Sequence, residues 1–180
     1  MCFILNWFKR EIPKEPFMLS YKDKLIMSLL FPGITEHVRI LLEKCHENNL
    51  NIAIVEGLRS FEKQLDYYAQ GRTKPGKIIT WTRLSWHNFG LAIDVAFLND
   101  SGNFDDKSWS EDHNWKLLGR LGKEAGFVWG GDWKGKEDKP HFQMTFGLTD
   151  DDKIKLEKIY NENMSIKDVY NYISNEIGLT

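Results

Sequence analysis

Apolar residues along this chain follow two rhythms. From Val38 to Cys45 they recur at the three-to-four-residue period of a helix with one buried face, and Asn48-Asn49 predicts its end before a short strand, Ile52-Ala53-Ile54-Val55. Ser60 is placed to cap a further helix through Tyr68, which Gly71 stops. Trp115 to Ala125 predicts another, with Leu117, Leu118 and Leu121 as its buried stripe and Gly126 at its C-terminal end. After Gly147 the pattern Ile154, Leu156, Ile159, Tyr160, then Ile166, Val169, Tyr170, Ile173, predicts two short helices. The second rhythm has period two. Ile93, Val95 and Phe97 alternate as the apolar side of a strand that turns Asp94 the other way, and His141 and Gln143 alternate with Phe142 and Met144. Pro140 stands at that strand's entrance, where a missing N–H costs no ladder bond. Between the rhythms, Arg72 to Trp86 is marked by Gly and Pro and reads as a long loop beside a site.

Short strands among amphipathic helices predict an α+β fold, a small antiparallel sheet with helices packed on one face. At 180 residues the chain is long enough for one sizeable core, and 42% hydrophobic with 28% charged residues is ordinary for a globular protein. A net charge of -2 argues against a general binder of nucleic acid or membrane surfaces. No apolar run approaches the roughly 20 residues that span a bilayer, so no integral membrane segment is expected. Cys2 and Cys45 make no disulfide framework and read as two free thiols in a reducing compartment. The apolar start, Met1 to Phe8, is too short for a signal peptide, and its positive charges follow it instead of preceding it. Synthesis in the cytoplasm is the expectation. Pro13 and Pro16 set off residues 1–20 as an N-terminal arm, and a monomer is expected.

Candidate chemistry gathers at Ser85-Trp86-His87-Asn88-Phe89-Gly90-Leu91-Ala92-Ile93-Asp94 and, much later, Asp138-Lys139-Pro140-His141. Two imidazoles and a carboxylate can close on one metal ion and leave a position open for water, the arrangement of a catalytic zinc. On one helix His87 and Asp94 would stand about 10 Å apart along the axis, so the pair fits a loop entering a strand, with Gly90 and Ala92 permitting a tight turn. Spacing alone leaves open that these are ordinary core or surface residues and that another divalent ion is held. His37, His46 and His113 read as such ordinary residues. Cys45-His46 lacks further ligands at metal spacing. Asp132, after Gly130-Gly131, suits a turn. Asp150-Asp151-Asp152 lacks the spaced oxygens of a calcium loop. Seven Trp raise the option of an aromatic-lined groove, although most aromatics pack cores.

Five blocks resemble the zinc peptidases that cleave peptidoglycan: Glu56-Gly57-Leu58-Arg59-Ser60, Gln64 through Gly76, the Ser-x-His-x-x-Gly-x-Ala-x-Asp run, Phe127 to Trp133, and Pro140-His141-Phe142-Gln143. They come in the family's order over roughly residues 35 to 147 and most resemble its L-alanyl-D-glutamate peptidase branch, which includes phage endolysins. The resemblance implies one Zn²⁺ held by His87, Asp94 and His141, Asp138 as general base, and Arg59 polarising the scissile carbonyl. It implies the peptidoglycan stem peptide as partner, reached after release from the cell, and a sheet that carries the zinc site. Gln64 and Ser85 become candidate substrate contacts, with a solvated helix face and a loop cap as their respective alternatives. Glu137 competes with Asp138 if the loop is turned by one residue. Residues 21–147 would form the peptidase domain and 148–180 a helical extension, either a brace or a small wall-targeting appendage, with the brace favoured because so short a pair lacks its own core. The rival activities are D-alanyl-D-alanine carboxypeptidase or dipeptidase, and a non-catalytic wall-binding or structural domain of the same fold.

Overall fold

Four short strands pair antiparallel in the order β1-β2-β4-β3, where β1 is Ile52–Glu56, β2 Ala92–Phe97, β3 Val128–Trp129 and β4 His141–Gln143. The structure is a computed structural model and describes residues 16–179, so the expectations for Cys2, Pro13 and the apolar start lie outside the described residues. Register sorts the side chains into two faces. Ile54 pairs with Val95, and Ile93 with Phe142; all four are fully buried on one face. Against that face pack α2, Pro32–Glu47, through Ile34, Val38 and Leu41, and α4, Trp115–Glu124, through Leu118 and Leu121. The apolar face of a sheet must be covered, and two amphipathic helices cover it. Leu117 is only partly buried. The stripe of α4 runs instead through Trp115, Leu118, Leu121 and Gly122.

The open edge of β1 is closed by an element the hydrophobic pattern does not announce. Helix α1, Tyr21–Met27, is capped by Ser20, and its buried Asp23 accepts a hydrogen bond from the Ile54 N–H at 3.0 Å. An edge strand's unpaired donor is thereby satisfied within the chain. Helix α3, Phe61–Ala69, begins as expected at Ser60, whose hydroxyl accepts from the Lys63 N–H at 3.1 Å.

Two helices end the chain, α5 at Asp150–Asn163 and α6 at Ile166–Glu176. Leu156, Val169 and Ile173 are fully buried in the same core as the sheet, and Tyr160 packs its ring 4.5 Å from Phe61. Tyr170 on α6 donates its hydroxyl to the Leu29 carbonyl at 2.7 Å. Gly90 sits beneath it with φ 63°, and a Cβ there would lie 2.2 Å from the Tyr170 Oη. Only glycine meets both demands. The Asp150-Asp151-Asp152 triplet is the first turn of α5, where Asp152 accepts from the Thr149 N–H and hydroxyl, which explains it without a cation.

The remaining histidines have structural partners. His37 Nδ1 bonds the Ala125 carbonyl at 2.8 Å, His113 stacks on Phe97 with centroids 4.1 Å apart, and His46 lies against Phe17. Burial pushes the Cys45 thiol up to about 12, as expected for a thiol packed in the core. Asp132 lies in a 3-10 turn, Gly130–Asp132, and pairs with Lys123 at 2.7 Å. Among the described residues no helix is long and apolar enough to cross a membrane.

Candidate metal centre and active site

The other face of the sheet carries the chemistry. Glu56 on β1 stands opposite Asp94 on β2, and Asp94 opposite His141 on β4, so three polar side chains form one row across three strands. His87 joins them from a 3-10 turn, Trp86–Phe89, where the sequence predicts a plain loop. Ser85 and Asn88 build that turn. The Ser85 hydroxyl accepts from the His87 N–H at 3.3 Å, Asn88 Oδ1 accepts from the Ser85 N–H at 2.8 Å, and Asn88 Nδ2 donates to the Arg59 carbonyl at 3.0 Å. Ser85 is therefore the cap its alternative reading allows, and it also lines the cleft.

Hydrogen bonds on the outer side of each ring aim the two imidazoles. His87 Nδ1 lies 2.8 Å from the Gly57 carbonyl, which can only accept, so the proton sits there and the Nε2 lone pair faces inward. His141 does the converse. Its Nε2 donates to Gln143 Oε1 at 3.1 Å, which leaves Nδ1 facing inward. The inward atoms, His87 Nε2, His141 Nδ1 and Asp94 Oδ1, are each 3.2 Å from the other two. A tetrahedron with zinc–ligand bonds of about 2.0 Å has edges of about 3.3 Å. The triangle therefore fits a divalent ion at three corners and leaves the fourth open. Outer N–H groups anchored on a carbonyl and an amide are what metal-binding imidazoles require.

Charge is tightly coupled across this group. Burial works to raise the Asp94 carboxyl, but the nearby charge of His87 and hydrogen bonds from His141 and His87 outweigh it and hold the group well below the usual carboxylate range. Burial works to lower His141, and the Asp94 carboxylate overcomes it and raises the imidazole. Asp138 is pushed up, first by burial and then by the Asp94 charge. Its loop is pinned from three sides: the Asp138 N–H donates to the Gly130 carbonyl at 3.0 Å, its carbonyl accepts from His141, and Trp129 Nε1 reaches the Lys139 carbonyl at 2.7 Å. A Cβ on Gly130 would fall 2.5 Å from the Asp138 carbonyl oxygen, so the backbone approach excludes any larger residue. Glu137 turns its carboxylate toward the loop's own Gly135 N–H at 3.2 Å.

Arg59 is buried and clamped. Its guanidinium pairs with Glu56, lies 3.3 Å from Asp94 Oδ2, and donates to Gln64 Oε1 at 2.8 Å, while Lys63 holds the same Glu56 at 2.8 Å. Gln64 departs from the solvated-face reading of the sequence. It is 0% exposed, and its amide also donates to the Thr82 carbonyl at 2.8 Å, tying α3 to the loop that follows it. A buried amide with three partners positions Arg59. Glu56 and Gln143 are functional neighbours to which the sequence assigns no role, since only cross-strand register places them beside Asp94 and His141. Around the centre opens a cleft of about 870 Å³, lined by Arg59, Ser85, Glu137 and Asp138 and rimmed by Trp81, Trp109 and Trp133.

Comparison with known proteins agrees with this geometry. A family model described as D-alanyl-D-alanine carboxypeptidase matches residues 80–144, which span both histidine segments. The peptidoglycan L-alanyl-D-glutamate endopeptidase CwlK of Bacillus subtilis (strain 168) is 37% identical over 132 residues, covering 69% of this chain and 79% of that protein. The chain belongs to this family of peptidoglycan peptidases. Another relative of the family, the L-alanyl-D-glutamate peptidase of Listeria phage A118, is 30% identical over 108 residues, of which this chain spans 35% of the phage protein's length. The L-Ala D-Glu endopeptidase ChiX of Serratia marcescens superposes with a TM-score of 0.55 at 26% identity, over 73% of this chain and 92% of that one. The α+β architecture of this chain is thus similar to that of ChiX, and its own small antiparallel sheet stands beside the cluster of His87, Asp94 and His141.

Proposed function

We propose that this protein is a zinc metallopeptidase that hydrolyses the L-alanyl-D-glutamate bond of the peptidoglycan stem peptide. The observation that carries the reading is the 3.2 Å triangle of His87, Asp94 and His141 at the floor of a cleft that also holds Asp138 and Arg59. Zinc bound there would supply a Lewis acid and an acidified water. Asp138 takes the proton of the attacking water and returns it to the departing glutamate amine, and its burial makes the carboxylate a stronger base than an exposed aspartate. Arg59, fixed by Glu56 and Gln64, is a permanent cation that favours the negative charge developing on the scissile carbonyl oxygen. The two outer hydrogen bonds, to the Gly57 carbonyl and to Gln143 Oε1, keep both imidazoles aimed inward.

D-alanyl-D-alanine carboxypeptidase activity is the alternative that shares this ligand set, and the matching family model carries that description. The relative matched over the larger part of the chain favours the endopeptidase. Residues 21–147 are read as the catalytic domain and 148–180 as a brace upon it, in a monomer that meets the wall after release from the cell. Incubation of the protein with purified peptidoglycan is expected to release new amino groups, to stop with a chelator and to resume with added zinc. Undiminished release in the chelator would refute the metal's role.

A further inference from the structure

The C-terminal hairpin does more than cover the core, because it places a cation in the cleft. Lys153 on α5 is 7% exposed, lines the cleft, and holds its ammonium 4.7 Å from the ring centroid of Trp86, the residue beside His87. Among the described residues its carboxylate partner is Asp150 at 2.8 Å, which is 86% exposed. A pair whose acid stands in water is weak and exchangeable. The other cleft cations are differently occupied: Arg59 and Lys63 share Glu56, and Lys136 lies over Trp81 on the rim, 5.4 Å from the ring. A lysine so desolvated, held against an indole, and paired with a solvent-exposed acid is prepared to accept an anion from the cleft.

The proposed substrate supplies one. A glutamate whose amine is acylated by alanine and one of whose carboxyls continues the chain keeps a second carboxyl that is either free or amidated. We infer that Lys153 is a specificity-determining residue that binds this second carboxylate, displacing Asp150, so that the enzyme prefers stem peptides with a free acid over those carrying the carboxamide. The inference rests on the peptidase reading above.

The test compares kcat/KM for two soluble stem peptides that differ only in that group, the free acid and the carboxamide, using the full chain loaded with zinc. The wild type should prefer the acid by about tenfold, the range of one charge-assisted hydrogen bond in an open cleft. Lys153→Met, which keeps the length and apolar stem, should bring the ratio to near one, chiefly through a higher KM for the acid. Lys153→Arg should keep the preference, and Asp150→Asn, which removes the competing acid, should enlarge it. A ratio unchanged in a folded Lys153→Met overturns the inference while leaving the peptidase reading intact. Should that variant fail to fold, an unchanged ratio in Asp150→Asn overturns it equally. Failure of the wild type to cleave either peptide overturns the peptidase reading and this one with it.

Discussion

Replacing Gln64 with Met tests whether the buried amide, and not only the metal ligands, builds the active site. Met keeps the unbranched length and much of the volume of Gln, so the packing loss is small. What disappears is polar: the bond from Arg59 at 2.8 Å, the bond to the Thr82 carbonyl at 2.8 Å and the longer one to Thr80 Oγ1 at 3.3 Å. With about 2 kcal/mol for the bond from the guanidinium and about 1 kcal/mol for the buried neutral bond, the expected destabilisation is about 3 kcal/mol. For a domain of this size that lowers Tm by about 6–12 °C. Differential scanning calorimetry reads the shift, and metal analysis in parallel should show a full equivalent of zinc, since Gln64 touches none of the three ligands. Turnover should fall, because Arg59 loses one of its anchors. A Tm within about 2 °C of wild type, equivalent to about 0.5–1 kcal/mol, would refute the positioning role.

Three further outcomes are expected. Asp138→Asn should retain zinc while kcat falls by roughly 10² to 10⁴, whereas Glu137→Gln, whose carboxylate serves the Gly135 N–H, should cost little; a reversed result in the turnover assay would shift the base by one residue. Gln143→Leu removes the acceptor for His141 Nε2 and should weaken zinc binding about 10- to 100-fold in a competitive chelator titration. Zinc affinity should also fall as pH drops through the raised His141 value, because the ion must displace a proton that Asp94 holds on the ring; the titration repeated between about pH 5 and 8 measures it, and a flat profile would contradict the coupling. For the metal-free fold the sign is opposite. The stability His141 contributes is fully present below about pH 6.5 and is lost as pH rises through the raised value.

The convergence of His87, Asp94 and His141 was legible because their two segments carry glycine and proline punctuation at strand entrances, and the resemblance grouped the three. Helices α2, α3 and α4 were legible from period and caps, with the stripe of α4 one position off at Leu117. Less visible was anything decided by pairing across strands. No local pattern announces that Glu56, Asp94 and His141 share a row, or that Gln143 would turn to His141, because register is a long-range property. The burial of Gln64 is hidden for the same reason: the solvated-face alternative for a polar residue on a helix falls only when Arg59 and the Thr80 to Thr82 segment are folded over it. The turn holding His87 looks like plain loop in the sequence, since one turn of 3-10 helix is too short to show a period. Helix α1 went unannounced, its fixed point being a single buried carboxylate on a strand edge.

End-group analysis of digested peptidoglycan tests the central claim most directly. Purified wall treated with the zinc-loaded protein, then resolved by mass spectrometry, should yield peptides with a new amino-terminal glutamate and glycan-linked fragments ending in alanine, and neither should appear with His87→Ala. Release of free terminal D-alanine with the alanyl-glutamate bond intact, or the same new termini from the His87→Ala protein, would contradict the account.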